Sequence, residues 1–148
     1  MNDFNIKIEY KHVPRFDSGS DEGIDYLESE GYVIIKNALT ANEASKTLDL
    51  LWDYLENLGT GIDRTNPLTW SDDKWPTCAH GGIIPSYGIG HSEAQWFVRG
   101  VPNVKKAFAK VWETDDLLTS FDGVSLWRPW NVDPSWKTQS GQAWFHID

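Results

Sequence analysis

His146-Ile147-Asp148 is the sharpest chemical signal in the chain. On a β-strand, residues i and i+2 project to one face, so this imidazole and this carboxylate address the same point. Such a pair supplies two of the three ligands of a 2-His-1-carboxylate facial triad, whose open positions on Fe(II) take a co-substrate and O2. Zinc accepts the same donors, and a His and an Asp at a strand end also serve as ordinary surface residues. The other histidines, His12, His80 and His91, all precede the pair. His80 and His91 fall in a Gly-rich stretch, where they can act beside a site or serve as hydrogen-bonded loop residues.

Four further residues lie near the pair in sequence or on the strand before it. Asp122 and Arg128 share one face of a strand by alternation, and an arginine can meet a carboxylate with two parallel hydrogen bonds. They are candidates for the co-substrate or substrate side. Equally, Asp122 before Gly123 is an ordinary turn residue, and Arg128 before Pro129 is an ordinary strand-end charge. Trp127 and Trp144 can line a pocket beside a metal or pack in a core. The chain has nine tryptophans. Trp52, Trp96 and Trp112 fall on helical apolar faces and are expected in a core, whereas Trp70, Trp75, Trp130 and Trp136 sit in loops where either role fits.

The elements that must position these groups read as follows. Residues 1–22 end in a polar, acidic, Gly-rich stretch and are expected to be a flexible arm, with one domain over 23–148. A short helix from Ile24 to Glu30 stops at Gly31, and Tyr32-Val33-Ile34-Ile35 favours a strand. Thr40 and Glu43 form a capping box for a helix whose stripe of Ala44, Leu48, Leu51, Trp52, Leu55 and Leu58 braces a sheet. Thr60 to Gly90 has no period and reads as a long ordered loop. Ser92 and Gln95 form a second capping box, Pro102 suits a first helical turn, and Val104, Phe108, Val111 and Trp112 draw one apolar face with Lys105, Lys106 and Lys110 on a solvated one. Leu117–Trp127, around Asp122-Gly123, and Gln142–Asp148 read as strands, which makes the fold class α+β.

Three runs carry a family resemblance: LESEGYVIIKNALTANEASKTLDLLWDYL, then KKAFAKVWETDDLLTSFDGVSLWRP, then GQAWFHID. In this order they resemble the phytanoyl-CoA dioxygenase-like family of Fe(II)- and 2-oxoglutarate-dependent oxygenases. The resemblance implies N-terminal helices bracing part of a double-stranded β-helix, a jelly-roll or cupin-like barrel. It implies Fe(II) held by His146 and Asp148, 2-oxoglutarate as co-substrate, and hydroxylation of a small organic substrate. The family's second metal histidine and its 2-oxoglutarate arginine lie on strands after the HxD pair, and nothing in these 148 residues follows that pair. The expectation is therefore a fragment or truncated product, inactive alone, that needs a C-terminal half or a partner chain and leaves strand edges unpaired.

Composition narrows the alternatives. The chain is 40% hydrophobic and 24% charged, an ordinary globular balance. Its 22 acidic against 13 basic residues give a net charge of −9, which disfavours nucleic-acid backbones and anionic membranes as partners. No apolar run reaches the roughly 18 residues of a membrane span, no secretory signal begins the chain, and the single Cys78 has no disulfide partner, so a cytoplasmic location is expected. The competing functional reading is a non-catalytic, Trp-rich ligand-binding module or pseudo-enzyme.

Overall fold

A computed structural model describes residues 12–79 and 82–137. His80 and the expected 142–148 strand, with Trp144, His146 and Asp148, lie outside the described residues. The fold class is α+β, in the order α1 (Asp21–Glu30), α2 (Ala41–Asn57), β1 (Ile83–Ile84), α3 (Glu93–Gly100), α4 (Pro102–Trp112) and β2 (Val124–Ser125), with short 3-10 turns between. Two compact units result, Met1–Thr40 with Pro102–Leu117 and Ala41–Val101 with Leu118–Asp148. No helix among the described residues is long and apolar enough to cross a membrane.

In the first unit, α1 begins three residues before the expected start because Ser20 caps it, accepting the Gly23 N–H at 3.2 Å. Asp21 and Glu22 then meet the positive end of the helix. Gly31 closes α1 in the left-handed region at φ 78°, its N–H donating to Leu27 O at 2.9 Å. The predicted strand 32–35 is reduced to one parallel bridge between Phe16 and Ile35. A run of β-formers becomes a strand only where a neighbour takes its amides, and among the described residues Phe16 exchanges bonds with Ile34 and Lys36. Residues 16–22, expected in a flexible arm, are folded: the Ser18 side chain is buried and its hydroxyl donates to Asn103 O. The lysine face of α4 is also more engaged than expected, with Lys110 paired to Asp21 and the Lys106 methylenes lying over Gly19. Among the described residues no buried apolar side chain belongs to this unit; α1, residues 33–38 and α4 instead line an apolar cavity of about 290 Å³.

The dry core belongs to the second unit. Leu55, Ile62 and Trp75 cluster there with Trp52, Tyr54, Leu58, Trp70, Cys78 and Leu126 packed around them. β1 and β2 pair antiparallel, Ile83 opposite Ser125 and Ile84 opposite Val124, and Ile84 is completely buried. The second capping box forms by half: Ser92 accepts the Gln95 N–H at 3.3 Å, but the Gln95 amide turns away to Gly123 O, tying α3 to the start of β2. Phe121 and Asp122 carbonyls cross so close over Gly90 that a Cβ there would lie 2.7 Å from each. Two expected core residues are not in a core, Trp96 at 47% and Trp112 at 68% exposure. An apolar stripe says which side of a helix avoids water, not what is there to cover it.

The turn after α2 is fastened by Arg64, which binds the Glu56 carboxylate through Nε at 3.0 Å and Nη2 at 2.8 Å and also pairs with Asp53. These bonds hold the Glu56 carboxyl below its ordinary value, so the stabilisation they give is complete above the usual carboxylate range and is lost as pH falls through the lowered value. The expected outcome is a urea midpoint that is lower in Arg64→Met than in the native chain at pH 7, with a narrower gap at pH 2.5. Urea titration by circular dichroism at both pH values measures it.

Candidate functional site

The second unit gathers its aromatic and charged side chains around the segment that follows β2. Residues Leu48, Leu51, Trp52 and Leu55 of α2 present one apolar stripe to it. The polar loop after α2 is ordered by its own short bonds. Asn66 caps the 3-10 turn Pro67–Thr69 by accepting the Leu68 N–H at 3.2 Å, and the Trp70 indole N–H donates to Asp63 O at 2.9 Å. Downstream, Asp133 caps the turn Pro134–Trp136 by accepting the Ser135 N–H at 2.9 Å. Each turn thereby delivers one indole, Trp70 and Trp136, whose rings lie 6.4 Å apart.

Arg128 occupies the space these rings leave. Its Nη1 donates to Trp70 O at 2.7 Å and its Nη2 to Asp72 Oδ1 at 2.5 Å. The guanidinium carbon stands 4.8 Å from the Trp136 ring and 5.5 Å from the Trp75 ring, a cation–π cage. Its side chain is 13% exposed against 82% for Asp72, so the carbonyl and the rings, more than the solvated carboxylate, hold the charge. Burial pushes the Cys78 thiol up, against the pull of the Arg128 charge.

Of the residues singled out in sequence, the structure brings Trp127 and Arg128 to one cavity and leaves Asp122 apart from it. The cavity, about 180 Å³, lies between α2 and Leu126–Pro129, with Trp52, Trp70 and Trp75 in its walls. Strict alternation does not hold here, since Leu126, Trp127 and Arg128 all line it; β2 has already ended at Ser125 and Pro129 cannot continue a ladder. The Trp127 ring lies flat against Gly82, so close that any Cβ at that position would overlap it. Asp122 behaves as a turn residue, its carboxylate accepting the Gly123 N–H at 2.7 Å. His91 stacks on Phe121 at 4.4 Å on the surface. Sequence reasoning left Trp70, Trp75 and Trp136 undecided and did not name Asp72; the run Trp70-Ser71-Asp72-Asp73-Lys74-Trp75, two indoles around acids, is the signal that marks a cage for a cation.

Among the described residues no group of three or more His, Cys, Asp or Glu side chains converges to hold a metal. His146, Asp148 and Trp144 lie outside the described residues. What the described part provides is a preformed aromatic cavity with a fixed cation in its wall.

Because the cage depends on the planar fork, Arg128→Lys is expected to cost about 1–3 kcal/mol and to weaken the near-UV circular dichroism of the tryptophans. Asp72→Asn, which removes a solvated partner, is expected to cost under about 1 kcal/mol. Denaturant unfolding of both variants checks the order. Gly82→Ala is expected to destabilise by displacing the Trp127 ring, and a double-mutant cycle with Trp127→Ala is expected to recover most of that loss.

Two curated relatives match most of this chain. One, from Aspergillus versicolor and named "Ava biosynthesis cluster protein O", is 35% identical over 142 residues, 96% of this chain and 44% of the relative. The other, from Dictyostelium discoideum and named "Putative phytanoyl-CoA dioxygenase", is 29% identical over 129 residues, 84% of this chain and 35% of the relative. The chain thus spans less than half the length of either. No family model matches it, and no solved structure does. A protein that bears a phytanoyl-CoA dioxygenase name is thus among those this chain is similar to, in agreement with the resemblance its motifs carry.

Proposed function

We propose that this chain is the N-terminal portion of a non-haem Fe(II)- and 2-oxoglutarate-dependent dioxygenase that hydroxylates a small organic substrate. The observation that carries the reading is the match of nearly the whole chain to relatives of which one bears a phytanoyl-CoA dioxygenase name, joined to the HxD pair at His146 and Asp148. In this reading the helices brace part of a double-stranded β-helix. The distal histidine and the 2-oxoglutarate arginine come from outside these 148 residues, a reading supported by relatives of which this chain spans less than half the length.

The donor set fits iron as far as it goes, since a neutral imidazole and a carboxylate are two of the three facial-triad donors. Bound Fe(II) with 2-oxoglutarate supplies the oxidising chemistry. The chain's own residues supply the two ligands and the walls: Trp127 and Trp144 exclude water and orient substrate. Arg128, with two of its N–H groups already bonded, shapes the wall of the cavity and keeps further N–H groups for a carboxylate of the co-substrate or substrate. Asp122 keeps the turn that leads into β2.

Two ligands without the third bind a divalent ion weakly. Titration of this chain with Co(II), followed by calorimetry, is expected to show saturable binding that His146→Ala and Asp148→Ala each reduce at least tenfold. Equal binding by the native chain and the double variant sinks the site. The aromatic cavity supports a second reading, a non-catalytic ligand-binding module, which predicts ligand binding indifferent to the metal and to both substitutions.

A further inference from the structure

We propose that the cavity between α2 and Leu126–Pro129 is a binding site for a small monocyclic aromatic molecule that carries an acidic group. Its volume, about 180 Å³, sets the size. An apolar protein cavity of about 150 Å³ accepts benzene, so one ring with a short substituent fits and a polycyclic body or a coenzyme does not. The walls set the body of the ligand. Indoles of Trp52, Trp70 and Trp75 stand at tilted and edge-on angles to one another, 34° and 80°, so they offer ring faces and edges from different directions to a flat guest. Leu48 and Trp127, which line the cavity, are 58% and 51% exposed, and the guest enters between them.

Arg128 sets the charge. It is the one ionised side chain lining the cavity among the described residues. Its bond to Trp70 O and its stacking on Trp136 fix the fork before any ligand arrives. Its carboxylate partner, Asp72, is 82% exposed and screened by water, so the cation is only weakly compensated. A carboxylate on the guest meets a fixed, partly buried guanidinium, the arrangement in which such pairs are strongest. Binding here needs no metal, so its test is independent of the oxygenase reading.

The test uses this chain with benzoate, toluene and acetate as probes, followed by ligand-observed NMR and calorimetry. Benzoate is expected to bind saturably, toluene several-fold more weakly and acetate not measurably. Leu51→Trp, which fills the cavity, is expected to abolish benzoate binding. Asp72→Asn, a surface change that leaves the walls intact, is expected to tighten benzoate about twofold to fivefold and to leave toluene unchanged. Absence of saturable benzoate binding, or undiminished binding by a folded Leu51→Trp, overturns the site. Toluene binding as tightly as benzoate, or no response to Asp72→Asn, overturns the acidic group.

Discussion

Arg128 lies where three stretches of the second unit meet: the Trp70–Trp75 loop, the chain that leaves β2, and the Pro134–Trp136 turn. A guanidinium that is mostly withdrawn from water must recover its hydration from fixed partners, or the stretch around it opens. Here the partners are a backbone carbonyl, two indole faces and one solvated carboxylate. Each belongs to a segment without regular secondary structure of its own beyond a single turn. The cation therefore does for these loops what a ladder of hydrogen bonds does for a sheet, and the cavity beside it exists because the loops are held apart at fixed positions.

The two units are held by different means. The second has a buried core centred on Leu55, Ile62 and Trp75, and places where the Trp127 ring lies so close to Gly82, and backbone carbonyls so close to Gly90, that a side chain would not fit. The first relies on helix caps, one parallel bridge and the pair between Lys110 and Asp21, and its apolar side chains surround a cavity rather than fill one another's spaces. Caps and exposed pairs contribute about 1 kcal/mol or less each, whereas each fully buried large apolar side chain contributes about 1.5–3 kcal/mol. The second unit is accordingly the more stable scaffold, and it is the one that carries the aromatic cavity.

For the oxygenase reading this division assigns labour. The reactive chemistry belongs to the metal and co-substrate, and the protein contributes ligands, walls and exclusion of water. An aromatic cavity with a prepositioned cation meets the last two needs, and its small volume favours compact substrates.

What could be read from the sequence was local. Capping residues and Pro102 place the starts of α2, α3 and α4, and the spacing of Leu48, Leu51, Trp52 and Leu55 names the cavity-facing side of α2, because each of these is set within a few residues along the chain. Tertiary structure decided the rest. Among the described residues Tyr32–Ile35 has strand-forming residues but one bridging neighbour, Trp96 and Trp112 stay largely exposed, and Arg128 reads equally as a surface charge or a ligand until Trp70, Asp72 and Trp136 close on it from 58, 56 and 8 residues away. Propensity and pattern record what a residue tolerates; whether a strand finds its partner, a ring its cover or a cation its cage depends on which distant segments the fold brings alongside.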